Sequence, residues 1–328
     1  MEFEAFDISR IPSGEKRTGW LEVAPRADGG MWRLPLLYIS GVSDGSILVV
    51  TGAVHGNEYE GVEAIPRIYE QVEPDVLRGT LVMIPVCNMP AYEDGTRNSP
   101  IDGLNLARVF PGDPDGTITR RIAYWLTHKL IKHADFFIDL HSAGVESNIP
   151  TMIGYRHSED ELGQSARAAA HAFGAPVMWG HPPPGTSGRT ISTATEYGVP
   201  WLYTESPGGG RAGADDVACY IHGVLNVMKH LGMIPGEPQP QSTTHHLVGD
   251  GNLDVVISAP SAGSFRPHVE LLQEVSIGQR LGVIENLFGQ IVGEVTADRD
   301  GIVILLRRLP QVNAGEGVAQ ITGKYSGD

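Results

Sequence analysis

The sequence has only two cysteines, a deficit of cationic side chains and no long apolar run. Cys87 and Cys219 lie far apart and outside any CxxC motif. A disulfide framework and a thiolate zinc knuckle are therefore excluded, and two buried thiols in a reducing compartment are expected. No window reaches the ~18 apolar residues of a membrane span, and the N-terminus lacks the apolar segment of a secretion signal. A soluble cytoplasmic protein without a membrane partner is expected.

The charge balance is acidic. Lys and Arg number 24, Asp and Glu number 39, and the formal net charge is −15. Because this charge repels a phosphate backbone, no nucleic-acid partner is expected. The 41 glycines and 23 prolines follow no fixed period, and 41% of the residues are apolar, which indicates a loop-rich globular protein. A length of 328 residues predicts roughly two domains.

Short apolar runs alternate with amphipathic segments up to Gly232. Residues 46–54 and 80–86 are rich in β-branched side chains, and the segment between them has apolar residues at helical spacing. The elements predicted after these are a helix at 118–131, a strand at 135–140, a helix that a Ser158/Glu161 capping box begins, a strand at 200–204 and a helix that ends before Gly232. The alternation predicts an α/β fold with a mixed or parallel sheet covered by helices on both faces.

The character of the sequence changes after Gly232. Residues 233–244 are rich in proline and polar side chains, and residues 245–328 show short strands at 8 to 12-residue spacing, punctuated by glycine. We therefore predict a first domain at 1–232, a linker at 233–244 and a small all-β barrel or sandwich at 245–328.

Four ionisable side chains follow predicted strands. His55 and Glu58 lie in AVHGNEYEG, His141 lies in IDLHSAG, and Glu205 lies in LYTESPGGG. Because the carboxyl ends of strands in an open α/β sheet meet at one crevice, these residues are expected to share a site. Two histidines and one glutamate with an open fourth position are the ligand set of a catalytic zinc ion. The pattern predicts one zinc ion per chain on the first three side chains, with Glu205 as general base.

These motifs resemble those of the succinylglutamate desuccinylase/aspartoacylase family, relatives of the zinc carboxypeptidases. HGNEYEG is similar to the first zinc motif and DLHSAG to the second, and TESPGGG resembles the segment with the catalytic glutamate. The resemblance implies a zinc carboxypeptidase-like catalytic domain, zinc ligands at His55, Glu58 and His141, and catalysis by Glu205. Within the family, the sequence resembles the branch that deacetylates N-acetyl-diaminobutyrate-like compounds.

The segment RNSPIDGLNLARVFPG resembles the part of the family that binds the substrate carboxylate. Arg108 matches the family's arginine, and the resemblance implies that it holds the substrate carboxylate or acts near the carbonyl oxygen. Ala107 stands where the family has asparagine, and Asn105 or Arg97 is the candidate for the missing contact.

The C-terminal segment resembles the lipoyl-like barrel-sandwich appended to this branch. A carrier domain needs a lysine at its exposed hairpin, and the tail has only Lys324, near the terminus. A structural or oligomerisation module is therefore expected, which leaves a homo-oligomer open.

The expected function is zinc-dependent hydrolysis of a small N-acyl amino acid, in other words a deacylase acting on a linear amide. The Pro-rich loop at 181–190 is either a plain surface loop, which is slightly favoured, or a roof over the crevice. As a roof, it would narrow the entrance of the site together with the appended β domain. A carboxypeptidase that acts on peptides would use the same site, and a non-catalytic metal- or ligand-binding protein is an alternative of another class. Glu205 argues against the last, because a storage site needs no unligated base.

Overall fold

The computed structural model describes residues 2–3 and 6–325 of the chain. The strands up to His230 are β1 (Glu2–Phe3), β2 (Lys16–Pro25), β3 (Met31–Ser40), β4 (Ser43–Gly52), β5 (Arg78–Ile84), β6 (Phe136–Leu140), β7 (Ser147–Asn148), β8 (Met152–Arg156), β9 (Val177–His181) and β10 (Trp201–Glu205). The α-helices are α1 (Glu60–Gln71), α2 (Met89–Asp94), α3 (Ile118–Lys129), α4 (Glu161–Phe173), α5 (Thr190–Glu196) and α6 (Ala214–His230). Short 3₁₀ helices are formed by Ile8–Arg10, Leu106–Arg108 and Ile131–His133.

The strands after the last helix are β11 (His245–Val248), β12 (Ile257–Ser258), β13 (Gly263–Pro267), β14 (Glu274–Val275), β15 (Arg280–Glu285), β16 (Ile291–Thr296), β17 (Gly301–Arg307), β18 (Gln311–Val312) and β19 (Gly317–Lys324).

A mixed sheet with a parallel centre positions the predicted site. β4 pairs in parallel with both β5 and β6, and β6 pairs in parallel with β10. β3 adds to β5 and β8 adds to β10 in the antiparallel direction. The predicted α/β fold with a mixed sheet is confirmed. The carboxyl ends of β4, β6 and β10 therefore lie at one edge of the sheet.

Helices cover both faces of this sheet, because successive strand residues point to opposite sides. Val49 and Phe137 belong to the core beneath α3 and α5, whereas Leu48 and Ile138 belong to the core beneath α1, α4 and α6. All four side chains are buried. None of the helices in the described part of the chain is long and apolar enough to cross a membrane.

Two predicted helix boundaries are wrong. The helix predicted at 118–131 ends at Lys129, and the chain then tightens into the 3₁₀ turn Ile131–His133. The helix predicted to begin with a Ser158 capping box is capped by Asp160, whose side chain accepts the Gly163 N–H at 2.8 Å. The Ser158 hydroxyl donates to Asp160 instead, at 2.7 Å. A carboxylate is at least as good an N-cap as a hydroxyl, so Asp160 takes the position.

The segment predicted as a linker packs against the first part of the chain. Met233 is buried, and its carbonyl oxygen accepts the Arg78 N–H at 2.7 Å. β11 then pairs in parallel with β9 and antiparallel with β19, so the large sheet continues into the C-terminal strands. A second sheet has the order β16-β15-β13-β18, and a separate apolar core forms in this part of the chain. The domain division and the barrel-sandwich architecture stay predictions.

Candidate active site

The loop after β4 brings His55 and Glu58 to the edge of the sheet. Gly56, between these two residues, lies against α2, where a Cβ atom would be 2.1 Å from the carbonyl carbon of Ala91. Only glycine fits such a close backbone approach. Helix α1 then begins at Glu60, so both His55 and Glu58 are held by the short turn between strand and helix. Both side chains are buried.

His141 follows β6 directly and lies between two carboxylates. Its Nδ1 is 3.0 Å from Glu58 Oε2, and its Nε2 is 2.9 Å from Asp139 Oδ2. Burial alone would lower the pKa of His141, but the carboxylates of Asp139 and Glu58 outweigh it and hold this pKa well above its ordinary value. Because carboxylates only accept hydrogen bonds, both ring nitrogens carry a proton in this arrangement.

His55 completes the cluster in a different protonation state. Burial, followed by the positive charge of Arg97, lowers the pKa of His55 well below its ordinary value, so the imidazole is neutral. Its Nδ1 is buried without a hydrogen-bond partner among the described residues. One ligand atom from each of His55, Glu58 and His141 lies within 4.8 Å of the others. The structure therefore brings together the three side chains that were predicted to bind a metal.

This donor set fits a divalent zinc ion. A buried imidazole nitrogen without a partner is costly unless something binds it, and a neutral His55 is the form that ligates a metal. At His141, a cation would take the place of the proton on Nδ1, which now faces Glu58. Asp139 would keep the proton on Nε2 and so fix the tautomer. Two imidazoles and one carboxylate are a set that zinc accepts.

Glu205 ends β10 and lines one cavity with His55 and His141. Its side chain is buried, and Oε2 lacks a partner among the described residues. Burial and then the negative charge of Glu58 raise the pKa of Glu205 to about 8. A carboxyl group with such a pKa exchanges a proton near neutral pH, as a general base must.

The predicted substrate residues take three different positions. The Arg97 Nη1 donates to Glu58 Oε1 at 3.0 Å, beside the candidate metal ligands. Arg108 lines the same cavity but donates from Nε and Nη2 to Asp254, at 2.9 and 2.6 Å. Asn105 caps the 3₁₀ turn that contains Arg108, and its Oδ1 accepts the Ala107 N–H at 2.9 Å. Asn105 is not among the described residues that line the cavity. Their roles toward substrate stay predictions.

Several site residues are absent from the sequence prediction. Asp139 is fully buried and also accepts from the hydroxyls of Thr51 and Thr190. An acidic residue within the apolar run DFFIDL, on the same strand face as His141, was the signal for it. Leu253 also lines the cavity, and no local pattern marks it. Arg189 lines the cavity too, and it belongs to the 181–190 loop that the sequence singled out.

The site has two small lobes that share three lining residues. The lobe that holds His55 and His141 has a volume of about 50 Å³, and its neighbour has about 170 Å³. Arg97, Glu205 and Leu253 line both lobes. Leu253 and Asp254 come from the loop between β11 and β12, so the C-terminal part of the chain forms a wall of the site.

Comparison with known proteins finds relatives over nearly the whole chain. The family model for the succinylglutamate desuccinylase/aspartoacylase catalytic domain matches residues 44–231 of the chain. The N-alpha-acetyl-L-2,4-diaminobutyric acid deacetylase of Halomonas elongata is 30% identical over 312 residues, which are 92% of this chain and 90% of that protein.

Two solved structures cover nearly the whole chain. A succinylglutamate desuccinylase/aspartoacylase from Rhodobacter sphaeroides is 30% identical with a TM-score of 0.88, and 98% of each chain is covered. The product-bound ectoine utilization protein EutE (DoeB) from Ruegeria pomeroyi is 31% identical with a TM-score of 0.87, covering 96% of this chain and 98% of that one. The chain belongs to the succinylglutamate desuccinylase/aspartoacylase family.

Proposed function

We propose that the protein is a zinc-dependent deacylase that hydrolyses the amide bond of a small N-acyl amino acid. The observation that carries the proposal is the position of Glu205, a buried carboxyl group without a ligand role, beside the cluster of His55, Glu58 and His141. A set of three metal ligands alone would serve metal binding. The same ligands beside a carboxylate that does not bind the metal serve hydrolysis, because that carboxylate can act as a base.

The chain's own residues divide the chemistry between them. Zinc at His55, Glu58 and His141 would supply a Lewis acid that polarises the scissile carbonyl and acidifies water. Glu205 takes a proton from the attacking water and delivers it to the leaving amine nitrogen, which balances the proton over the reaction. Its pKa of about 8 in the metal-free chain places both steps within reach of neutral pH. Asp139 holds the His141 ring in place throughout.

Two arginines stabilise negative charge at different points of the substrate. Arg97 lies against Glu58 and is therefore near the scissile carbonyl, where negative charge develops on oxygen. Arg108 pairs with Asp254 and not with a candidate metal ligand, and it is the residue that anchors the substrate carboxylate. Of the two roles that the sequence left open for Arg108, this division favours the contact with the substrate carboxylate.

The size of the site favours small substrates over peptides. The lobes of about 50 and 170 Å³ are small for a peptide, and Leu253 of the C-terminal segment lines both of them. The Halomonas elongata relative is by name a deacetylase of N-alpha-acetyl-L-2,4-diaminobutyric acid. We therefore propose an N-acetyl-diaminobutyrate-like compound as the substrate.

A substrate panel tests the proposed function. Purified protein with zinc is incubated with N-acetyl-2,4-diaminobutyrate, N-acetylaspartate and N-succinylglutamate, and in parallel with blocked and unblocked di- and tripeptides. We expect release of a short-chain acid, with the diamino compound hydrolysed faster than the aspartate compound. Trimming of C-terminal residues from peptides without cleavage of the acyl amino acids would favour a carboxypeptidase instead.

A further inference from the structure

The loop between β11 and β12 inserts a carboxylate at the mouth of the site. Its position is fixed at Asn252, whose Oδ1 accepts from Arg189 Nη2 at 2.8 Å and whose carbonyl oxygen accepts from Gln320 Nε2 at 2.9 Å. The Asn252 side chain also accepts the Asp254 N–H at 3.1 Å, so it sets the turn that aims Asp254. The carboxylate of Asp254 thus reaches the cavity from an anchored loop.

Asp254 is paired with the arginine proposed to hold the substrate carboxylate. Oδ2 and Oδ1 accept from Nε and Nη2 of Arg108, a bidentate contact at 2.9 and 2.6 Å. Oδ2 is also 3.4 Å from Arg189 Nη2. The Asp254 side chain is 51% exposed and that of Arg108 is 26% exposed, so both side chains reach solvent. A substrate that approaches from solvent therefore meets both charges.

Three arginines among the described residues line the lobe that holds His55 and His141, and each of them is paired in the free protein. Arg97 contacts Glu58, Arg108 contacts Asp254, and Arg189 contacts Asn252 and Asp254. A substrate carboxylate that binds Arg108 either takes N–H groups of the guanidinium that Asp254 leaves free or shifts Asp254 toward Arg189. In both cases a second carboxylate lies beside Asp254, and a nearby positive charge is needed to offset the repulsion.

The charge on the substrate side chain decides whether that need is met. A substrate whose side chain has an ammonium group forms two ion pairs. Its α-carboxylate binds Arg108, and its side-chain ammonium binds Asp254. A side chain with a second carboxylate instead places another negative charge next to Asp254, which is repulsive. A neutral side chain neither restores the pairing nor adds repulsion.

We propose that Asp254 is a specificity-determining residue that selects N-acyl amino acids with a cationic side chain and rejects those with a second carboxylate. The proposal rests on the proposed function and gives the C-terminal segment a role in substrate choice.

The test compares kcat/KM for three substrates in zinc-loaded protein. N-acetyl-2,4-diaminobutyrate, N-acetylalanine and N-acetylaspartate differ in side-chain charge but share the reacting amide and the α-carboxylate. We expect Asp254→Asn to lower the ratio of kcat/KM for the diamino compound over the aspartate compound by ~10-fold or more, with the diamino value falling and the aspartate value rising. Asp254→Lys should lower the ratio further.

Two further variants separate charge from folding. Asp254→Glu keeps the charge and should keep the wild-type order of substrates. Glu294→Gln removes an exposed carboxylate that pairs with Arg280 at 2.7 Å, far from the site in the same C-terminal part, and should leave the ratio unchanged. Zinc content is measured for every variant.

The outcomes distinguish this inference from the proposed function. If the wild type hydrolyses these compounds but Asp254→Asn keeps the wild-type ratio, or loses activity equally on all three, the inference is overturned and the proposed function stands. If the wild type hydrolyses none of them, the proposed function fails and the inference falls with it.

Discussion

Asp139 and His141, two residues apart in the chain, are joined through their side chains, with Asp139 Oδ2 2.9 Å from His141 Nε2. Asp139 is fully buried at the end of β6, and the charge of His141 helps to hold its pKa below the ordinary value despite burial. Hydroxyls of Thr51 and Thr190 donate to the same carboxylate. Asp139 is therefore built to orient the imidazole that faces Glu58.

We predict that Asp139→Asn weakens zinc binding ~10 to 100-fold, because the amide cannot supply the negative charge that orients and polarises His141. Competition with a zinc chelator measures the affinity. Asp44→Asn, at an exposed carboxylate on β4, is the matched control and should bind zinc as tightly as the wild type. Equal affinities in the two variants would show that Asp139 has no such role.

Glu205→Gln is expected to retain zinc, because Glu205 is not one of the proposed ligands. Turnover of an N-acyl amino acid should fall by ~10²–10⁴, the usual contribution of a general base. Steady-state kinetics and zinc analysis of the same preparation check both halves of this expectation. Glu70→Gln, on the exposed side of α1, should keep full turnover. A Glu205→Gln variant with near wild-type turnover would remove Glu205 from the mechanism.

The raised pKa of Glu205 predicts that the stability of the zinc-free protein depends on pH. The pKa of Glu205 is about 8 in the folded chain, against an ordinary value of 4.5, because burial and then Glu58 disfavour its charge. The folded state thus keeps a proton that the unfolded chain loses. The resulting stability is fully present below the unfolded pKa and is lost as the pH rises through the folded pKa.

Zinc-free Glu205→Gln cannot ionise at this position and should lose less stability over that interval. Urea unfolding of both proteins at about pH 5, 7 and 9 gives the comparison. We expect the free energy of unfolding of Glu205→Gln, minus that of the wild type, to increase with pH. A difference that does not change with pH would contradict the raised pKa.

Arg108→Ala is expected to raise KM for an N-acyl amino acid ~10 to 100-fold with a smaller effect on kcat, because a carboxylate contact at the entrance is made before and during the reaction alike. Arg280→Ala removes an exposed arginine from the C-terminal part and serves as control. A loss confined to kcat would place Arg108 at the carbonyl oxygen instead of at the substrate carboxylate.

The residues at strand ends could be predicted from the sequence because one topological rule places them. His141 lies 83 positions from Glu58 and 63 positions from Thr204, the neighbour of Glu205, yet parallel pairing of β4, β6 and β10 brings them to one edge. Apolar runs identify such strands, and the rule then supplies the long-range contact. For His141 and Glu205 no knowledge of loop conformation is needed, whereas the positions of His55 and Glu58 also depend on the turn between β4 and α1.

Contacts made by loops could not be predicted in this way. Arg108 and Asp254 are separated by 146 positions, and their pairing depends on how the loop between β11 and β12 folds back over the site. No periodicity encodes that path. The prediction of Ser158 as the N-cap of α4 failed for a related reason. Asp160, two residues further on, competes for the same position, and the local geometry decides between them.

Titration of zinc into chelated protein, with acetate release from N-acetyl-2,4-diaminobutyrate as the readout, tests the proposed metal-dependent deacylation most directly. We predict no hydrolysis in the chelated protein, a rate that rises with added zinc, and saturation at about one zinc per chain. His55→Ala, Glu58→Ala and His141→Ala should each fail to bind zinc and to recover activity. Full activity in the chelated protein, or full zinc content in all three variants, would contradict the proposal.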